Sequence, residues 1–429
     1  MKPNKKEIYA GISGLLSDAR LKSKIKMLMV IGDGMADRAV EEIGWRSPLE
    51  VAETPNMDLL ARRGVLGFHD PLWPGLRVES EAANLSILGY DPLRNPIKRG
   101  LVEALGLEVS LERGDVALRT NFATIRNGKI LDRRAGRFNW DPKPLADDLN
   151  KIEVQGGEAQ FYTSVEHRGV LVLSSEESLS ADISDTDPHT TGVPPMKSVP
   201  TKKGEAAIRT TKILNEYLEN VTTVLSQHPL NQEREKQDLL PANGLITRGA
   251  GTLLDIPRFL DMFGVNGAVI CGFPMIKGLV RFVGLETPEV EGATGRADTN
   301  FDKKAEAAIK ALEEFDFVYV HVKAIDSASH DGKVYLKMDL IEKMDSLIGR
   351  VLDAWDDLVV CVTADHSTPL GLGDHCGDPV PFLIWFPNII RDEAVRFSER
   401  EAYKGGFQRI RSVDLMNSIL CFSGRCQEI

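Results

Sequence analysis

This sequence has few cysteines, no long apolar run and no excess of positive charge, and each of these features excludes a class of protein. The five cysteines include no CxxC pair, which argues against a thiolate zinc site or a disulfide framework and favours a reducing compartment. No apolar run reaches the roughly 18 residues of a membrane-spanning helix. Residues 1–25 are basic and weakly amphipathic, without the apolar core of a secretory signal, and are predicted to form an N-terminal extension. We therefore expect a cytoplasmic protein without a membrane partner.

The charge balance further restricts the kinds of molecule that the protein is expected to bind. The 63 acidic residues outnumber the 52 basic ones, so that the formal net charge of −11 would repel the phosphates of a nucleic acid. No GxxxxGK[ST] nucleotide loop occurs in the chain. A small anionic ligand remains compatible with this charge, because a local arginine cluster or a metal ion can override the global field. The composition leaves assembly into a homo-oligomer open.

The order of apolar and amphipathic segments predicts an α/β protein. IKMLMVIGDG joins a short continuous apolar run to a glycine break, as in a strand that is buried on both faces of a parallel sheet. Further along, the patterns predict helices over 54–64, 303–315 and 335–355, and strands over 316–322, 358–365 and 380–386. Alternation of this kind indicates a doubly wound sheet with helices on both faces.

The middle of the chain has a different pattern. VALRTNFATI, GKILDRRAGRF and RGVLVLSS are strand-like, and a long polar helix is predicted near 202–227. Strands followed by a helix are typical of an α+β insertion. We therefore predict a discontinuous α/β domain over 26–113 and 258–429, interrupted by an inserted domain over 114–257.

Carboxylates and histidines gather where the predicted strands end. They occur in three segments, GDG with Asp33, DSASH with Asp326 and His330, and TADHSTPLGLGDH with Asp365, His366 and His375. Ligands of open α/β sheets lie at the carboxyl ends of the strands, so these segments are expected to meet. Asp and His ligands without thiolates suit Mn²⁺, Mg²⁺ or Zn²⁺, and their number is enough for two ions. Two such ions can clamp a phosphoryl group and activate a hydroxyl nucleophile.

Each segment also has a simpler explanation. A lone Asp–His pair is more often a helix cap or a surface loop, and GDG alone is usually a turn. Three such segments at strand ends of one domain favour the metal site. Ser80 precedes the helical segment AANLSILG, where a serine could help to stabilise an anion. The residues alone favour an N-cap there, with Glu81 in the first turn.

Together these motifs resemble the archaeal-type 2,3-bisphosphoglycerate-independent phosphoglycerate mutases of the alkaline phosphatase superfamily. The matching segments, in the family's order from about residue 28 to 381, include IGDGMAD, TPNMDLLARRG, NLSILGYDP, ILDRRAGR, SDTDPH, ATGRADTN, HVKAIDSASHDG and TADHSTP. ILDRRAGR and SDTDPH are specific to this family, whereas TADHSTP alone indicates only the wider superfamily.

The resemblance implies a fold, a reaction and two sets of metal ligands. The fold would be an alkaline-phosphatase-like metal domain with an inserted substrate-binding domain. The reaction would interconvert 3-phosphoglycerate and 2-phosphoglycerate through a phosphoserine on Ser80. One ion would be held by Asp33, Ser80, Asp365 and His366, and the other by Asp326, His330 and His375. The ions would be Mn²⁺ first, with Mg²⁺, Co²⁺ or Zn²⁺ as alternatives, and 2,3-bisphosphoglycerate would not be needed.

The resemblance also assigns residues to a small phosphorylated substrate, for which arginine supplies bidentate contacts. Arg134 and Lys323 are predicted as catalytic, and Asp132, Arg133, Arg137, Arg168, His189 and Arg248 as substrate-binding. On the residues alone, LDRRAGR slightly favours a solvated turn. An isolated loop histidine such as His189 more often has neither a ligand nor an acid–base role.

Several positions near the expected nucleophile depart from the family pattern. VESE, Val78 to Glu81, stands where PGSD is usual, Leu101 replaces the proline of GRGP, and Cys376 follows His375 in place of serine. Glycine lets the backbone approach a phosphate closely, so its loss bears on substrate identity. The alternatives are a related phosphotransferase with another substrate, such as a homoserine kinase, a phosphatase, and a catalytically weakened paralogue.

Overall fold

The computed structural model describes residues 25–136 and 140–425, which divide into two compact units. Unit 1 comprises the described residues up to Pro96 and from Ile256 onward, and unit 2 is Ile97–Asp255. The predicted N-terminal extension, apart from Ile25, and the predicted substrate residue Arg137 lie outside the described residues. No described helix is both long enough and apolar enough to cross a membrane.

The elements are numbered along the chain. The strands are β1 (Lys26–Gly32), β2 (Val65–Asp70), β3 (Val116–Arg126), β4 (Lys129–Asp132), β5 (Glu158–Thr163), β6 (Arg168–Ser174), β7 (Gly244–Gly251), β8 (Gly267–Ile270), β9 (Phe317–Val322), β10 (Leu358–Thr363), β11 (Val380–Trp385) and β12 (Gln408–Arg411). The helices are α1 (Pro48–Val51), α2 (Pro55–Arg63), α3 (Ser80–Ile87), α4 (Arg99–Gly106), α5 (Lys143–Leu149), α6 (Glu205–Gln227), α7 (Pro229–Lys236), α8 (Phe259–Phe263), α9 (Pro274–Phe282), α10 (Phe301–Glu314), α11 (Ala324–His330), α12 (Val334–Ala354), α13 (Glu399–Ala402) and α14 (Leu415–Phe422), with 3₁₀ turns at Glu41–Ile43 and Ser412–Asp414.

Unit 1 is built on a seven-stranded sheet in the order β12-β2-β11-β10-β1-β9-β8. The strands that flank β1 run parallel to it, and β11 is antiparallel to both of its neighbours. Every residue of β9 and β10 is buried, which explains their continuous apolar sequences. Side chains of α1, α2, α10 and α12 pack on one face, and Phe259 of α8 stacks on Phe317 of β9 from the other. The predicted α/β sheet with helices on both faces is thus confirmed.

Unit 2 is an antiparallel sheet with helices. Its strands follow the order β4-β3-β6-β5, and β7 pairs with the other side of β3. The long helix α6 packs Ile213, Tyr217 and Val221 into the core of one face. The first boundary of this unit lies at 96/97 rather than at the expected 113/114, because α4 packs against β3 and β7.

The parallel strands of unit 1 determine where its polar side chains meet. In the register of the sheet, Ile31 of β1 lies beside Thr363 of β10, and Gly32 lies beside Val322 of β9. The three strands therefore end at the same edge. Asp33, Lys323 and Asp365 follow these ends directly or within two residues, so segments from opposite ends of the chain come together there.

Candidate functional site

Buried carboxylates and histidines form one cluster at this edge of the unit 1 sheet. Asp33, Asp365 and His366 offer ligand atoms that all lie within 4.8 Å of one another, and so do Asp326, His366 and His375. All five side chains are buried. His366 is common to both groups, so the cluster offers two adjoining sets of possible cation ligands, whereas the sequence assigned His366 to one ion alone.

His330, which is more exposed, lies beside the second of these sets. It ends α11, one helical turn after Asp326, and its Nε2 lies 3.4 Å from Asp326 Oδ2 and 3.2 Å from His375 Nε2. A hydrogen bond with Asp326 raises the pKa of His330 to about 9. His375 is fixed from its other ring nitrogen, because Nδ1 lies 2.9 Å from the carbonyl oxygen of Val78. Such contacts to the second nitrogen orient a metal-binding histidine.

Ser80 lies inside the cluster rather than at a helix cap. Glu79 occupies the N-cap position of α3 and makes no side-chain cap, whereas Ser80 is the first helical residue. The Ser80 Oγ atom is 3.0 Å from His366 Nε2 and 3.4 Å from Lys323 Nζ. The N-cap that the residues alone favoured is therefore wrong, and the hydroxyl instead points at two groups of the site.

Lys323 is a cation at the centre of this cluster. Its Nζ atom lies 2.6 Å from Asp326 Oδ2 and 3.1 Å from Asp33 Oδ1. Burial opposes the charged form, but the surrounding carboxylates attract the proton and raise the pKa of Lys323 above its usual range. The ammonium group therefore stays charged beside the Ser80 hydroxyl.

The cluster carries more negative charge than Lys323 can compensate. Burial, reinforced by the neighbouring Asp33 and Asp326 carboxylates, raises the pKa of Asp365 well above its ordinary value. Asp33 is fully buried as well, and its Oδ2 atom faces the ring of His321. Buried, crowded carboxylates beside imidazole nitrogens are a donor set that suits a divalent cation. These residues therefore fit a divalent metal ion.

A second layer of polar residues, which the sequence analysis missed, supports the ligands. Asn84, one turn after Ser80, donates to Asp365 Oδ2 at 2.8 Å and to the Ser80 carbonyl at 2.7 Å. The Tyr319 hydroxyl in turn donates to Asn84 Oδ1. His321 has its Nε2 atom 3.1 Å from Asp33 Oδ2. The one sequence feature that could have indicated these supporting residues is the presence of Tyr319 and His321 at alternate positions of the otherwise apolar strand β9.

The VESE segment holds Ser80, the expected nucleophile, without the glycine of the family pattern. Val78 is buried, and its carbonyl oxygen receives the contact from His375. The Glu79 side chain faces solvent and lies 3.4 Å from Arg77, which also pairs with Asp374 at 2.9 Å. The segment is thus tied through both its backbone and its flank to the loop that carries His375.

In unit 2, the predicted substrate residues Arg133 and His189 are held by one carboxylate. Asp187, which is buried, accepts two hydrogen bonds from the Arg133 guanidinium at 2.8 and 2.6 Å. Its Oδ1 also accepts from the backbone nitrogen of His189 at 2.9 Å. His189 has a φ of 59°, a strained backbone for a residue with a side chain. Nearby, Asp132 accepts from the backbone nitrogen of Arg134, whose side chain is exposed.

The remaining predicted arginines belong to a larger cluster than the sequence indicated. Arg248 of β7 pairs in register with Arg119 of β3, and Arg168 of β6 lies beside them on the same sheet. Burial and the neighbouring arginines lower the pKa of Arg119 to about 10, although Glu103 opposes the shift from 3.4 Å. The Nε atoms of Arg119 and Arg248 are buried without hydrogen-bond partners among the described residues. Unit 2 therefore presents buried positive charge that an anion would neutralise.

The comparisons with known proteins agree with this geometry. The model of the metalloenzyme superfamily matches residues 25–421. The 2,3-bisphosphoglycerate-independent phosphoglycerate mutase of Methanopyrus kandleri is 45% identical over 94% of this chain and 97% of its own length.

Solved structures give the same result. A Pyrococcus horikoshii protein superposes with a TM-score of 0.83 at 36% identity, covering 95% of this chain and 99% of its own. The cofactor-independent phosphoglycerate mutase of Thermoplasma acidophilum gives 0.72 at 34% identity, covering 93% and 100%. This chain belongs to the 2,3-bisphosphoglycerate-independent phosphoglycerate mutase family, within the metalloenzyme superfamily.

Proposed function

We propose that this protein is an isomerase that interconverts 3-phosphoglycerate and 2-phosphoglycerate without 2,3-bisphosphoglycerate, with Ser80 as the phosphoryl carrier. The observation that carries the proposal is the position of the Ser80 hydroxyl inside a buried carboxylate cluster, 3.0 Å from His366 Nε2 and 3.4 Å from the charged Lys323 Nζ. Membership of the mutase family supports the choice of substrate.

Two divalent ions, Mn²⁺ before Mg²⁺, Co²⁺ or Zn²⁺, are part of the proposal. Asp33, Ser80, Asp365 and His366 would hold one ion, and Asp326, His330 and His375 the other. When bound, the ions neutralise the carboxylates, favour the ionised Ser80 hydroxyl and stabilise negative charge on the transferring phosphoryl group. The mixed oxygen and nitrogen donors, with no thiolate, support this choice of metal.

The reaction then follows from the chain's own groups. Ser80 gives up its hydroxyl proton as Oγ attacks the phosphorus of 3-phosphoglycerate, the bond to the glycerate 3-oxygen breaks and that oxygen takes up a proton, and a phosphoserine forms. Lys323, which stays charged beside Ser80, offsets the negative charge on the phosphoryl oxygens during both transfers. The 2-hydroxyl of the same glycerate then gives up its proton and attacks the phosphoserine, the bond between Ser80 Oγ and phosphorus breaks, and Ser80 is reprotonated.

The anionic groups of the substrate are assigned to unit 2. Arg133 is already oriented by Asp187, which takes its Nε donor and one Nη2 donor, so the remaining Nη donors can bind a carboxylate or phosphate with little loss of side-chain freedom. Arg168 and Arg248 add positive charge that an anion would compensate. Asp132, Arg134, Arg137 and His189 are proposed as further contacts of the glycerate or of the phosphoryl group.

The physiological context remains a prediction. A role in glycolysis and gluconeogenesis follows from the proposed reaction. The cytoplasmic location, the absence of membrane and nucleic-acid partners, and the number of subunits stay predictions from the sequence.

An enolase-coupled assay with 3-phosphoglycerate and Mn²⁺, without ATP or 2,3-bisphosphoglycerate, tests the proposal. Ser80→Ala should lower kcat by at least about 10³-fold while Mn²⁺ binding largely persists, because the carboxylate and imidazole ligands remain. Ser86→Ala, six residues further along α3, is the matched control and should keep wild-type activity. Mass spectrometry of acid-quenched enzyme should find phosphate on Ser80.

Other outcomes would replace the proposal. Release of inorganic phosphate without isomerisation would identify a phosphatase. Turnover that requires ATP and another hydroxyl acceptor, homoserine first, would identify a kinase-like phosphotransferase. A folded, Mn²⁺-loaded protein with no turnover on any of these substrates would favour a binding role.

A further inference from the structure

Lys337 is a buried lysine that connects two of the strand-end loops in unit 1. It lies on α12, in the first turn, and its side chain is fully buried. Its Nζ atom donates to the Gly34 carbonyl at 3.0 Å and to the Thr368 carbonyl at 3.2 Å. A third hydrogen bond, of 2.7 Å, goes to Asp37 Oδ2. One ammonium group therefore holds the loop after β1 and the loop after β10 together.

Both residues whose carbonyls it holds orient proposed metal ligands. The backbone nitrogen of Gly34 donates to Asp365 Oδ1 at 3.1 Å. The Thr368 hydroxyl donates to Asp326 Oδ1 at 2.8 Å and lies 3.1 Å from His366 Nδ1. Each ligand set thus depends on a residue whose backbone Lys337 fixes.

The loops leave no space for another arrangement. Gly34 has a φ of +64°, and a Cβ atom there would lie 2.6 Å from Asp326 Oδ1 and 2.6 Å from Thr368 Oγ1. Asp37 is held as well, since its Oδ1 accepts from the backbone nitrogen of Arg38 and its own backbone nitrogen donates to Glu399. The lysine therefore contacts a backbone that is already close-packed.

Stability alone is a weak reason for this lysine. Burial lowers the pKa of Lys337, although Asp37 opposes the shift. A buried ion pair often contributes no more to stability than apolar side chains of the same volume. Three convergent acceptors from two ligand-bearing loops point instead to a requirement for precise geometry.

We propose that Lys337 is a positioning residue that sets the geometry of both metal-ligand sets by holding the two loops together. It acts through Gly34 and Thr368 and makes no hydrogen bond to any proposed ligand. The inference rests on the proposed two-metal function, and it adds a residue on α12 to a site otherwise built from strand ends and α3 and α11.

Titration of the metal-free full-length protein with Mn²⁺ by calorimetry tests it, because affinity is a readout that a purely structural role would not move. Lys337→Met keeps the length of the side chain and removes its donors. We expect it to weaken Mn²⁺ binding by about 10- to 100-fold and to raise the Mn²⁺ concentration required for activity. Excess Mn²⁺ should restore part of kcat.

Asp345→Asn is the matched control on the same helix. Asp345 is buried like Lys337, but it accepts from the backbone nitrogen of Met57 at 2.7 Å and from Asn56, and so holds α2 rather than the ligand loops. Its loss should lower thermal stability and leave Mn²⁺ affinity unchanged. Equal weakening of Mn²⁺ binding in both variants would assign the effect to general destabilisation and overturn the inference.

The remaining outcomes are also decisive. If Lys337→Met does not fold, Asp37→Asn removes the counter-charge with little change of shape and should weaken Mn²⁺ binding in the same direction. Wild-type affinity in whichever of the two variants folds would overturn the positioning role while leaving the proposed function untouched. A wild-type protein that binds no Mn²⁺ would overturn the two-metal proposal itself, and this inference with it.

Discussion

Unit 1 carries a cluster of carboxylates and unit 2 a cluster of arginines, and the comparison shows how like charges can be arranged to bind an ion of the opposite sign. In unit 1, Asp33, Asp326 and Asp365 surround the single ammonium group of Lys323. In unit 2, Arg119 and Arg248 face each other across neighbouring strands with only partial compensation from acidic residues. Each unit therefore lacks charge of the sign that its proposed ligand would bring.

The clusters differ in how completely they are closed. The three carboxylates of unit 1 are at most 2% exposed, at the ends of parallel strands. The arginines of unit 2 lie on an antiparallel sheet, and Arg168 is exposed. A closed site suits an ion that remains bound, whereas an open one suits an anion that enters and leaves with each turnover. Grouping side chains of like charge thus suits both a cation that stays bound in unit 1 and an anion that exchanges in unit 2.

Asp365→Asn should have the largest effect, because it removes one of the three carboxylates. Burial and the neighbouring carboxylates make ionisation of Asp365 unfavourable, so a neutral amide relieves repulsion and offsets the lost hydrogen bond from Asn84. We expect activity to fall by about 10³-fold and the rise in Tm produced by Mn²⁺ to disappear. The Tm in EDTA should equal or exceed that of the wild type.

Scanning calorimetry with EDTA and with Mn²⁺ checks both halves of this prediction. A variant that is much less stable than the wild type in EDTA would mean that Asp365 stabilises the fold. An unchanged Mn²⁺ shift would remove Asp365 from the ligand set.

Arg248→Ala tests the positive cluster and should have a smaller effect. Loss of a charged hydrogen-bond donor should raise KM for 3-phosphoglycerate by about 10- to 100-fold and change kcat less. Because burial disfavours the charged form of Arg248, the fold should lose little stability. Arg113→Ala is the control, since Arg113 lies in the same unit, mostly exposed, in an ion pair with Asp255. A collapse of stability without a change in KM would make Arg248 structural.

The sequence located the negative cluster better than the positive one, for a physical reason. Continuous apolar runs define buried parallel strands, and the residues that follow such strands meet at one edge, so Asp33, Asp326 and Asp365 could be assigned to one site before the structure was known. Arg119 lies inside an apolar strand segment, where one polar residue carries no signal of its partners. Cross-strand pairing with Arg248 depends on register, which the local pattern does not contain.

Supporting residues were the least predictable. Lys337 occurs in a helix rich in charged residues, where a lysine is expected to face solvent, and only the packing of α12 reveals that it is buried. The predicted first boundary of unit 2 differed from the observed one for a similar reason, since the sequence of α4 does not indicate the sheet on which this helix packs. Local patterns determine elements and their buried faces, whereas contacts between elements distant in sequence require the fold.

The smallest expected effect is that of His69, a buried titratable side chain whose two ring nitrogens both have hydrogen-bond partners. In unit 1, its Nε2 atom lies 2.8 Å from Thr363 Oγ1 and 3.1 Å from the Ala364 carbonyl, and Ser412 binds its Nδ1. Burial lowers the pKa of His69 to about 4. The unfolded chain therefore binds more protons than the folded protein between about pH 4 and 6.5, so stability is lost as the pH falls through this window.

Urea denaturation in EDTA at pH 7 and pH 5 tests this prediction. His69→Gln should lose about 2 kcal/mol less free energy of unfolding between the two pH values than the wild type does. If both proteins lose the same free energy of unfolding between pH 7 and pH 5, His69 has an ordinary pKa in the folded protein. Burial in unit 1 would then not by itself disfavour a charged side chain, and the explanation given for the carboxylate cluster would be weakened.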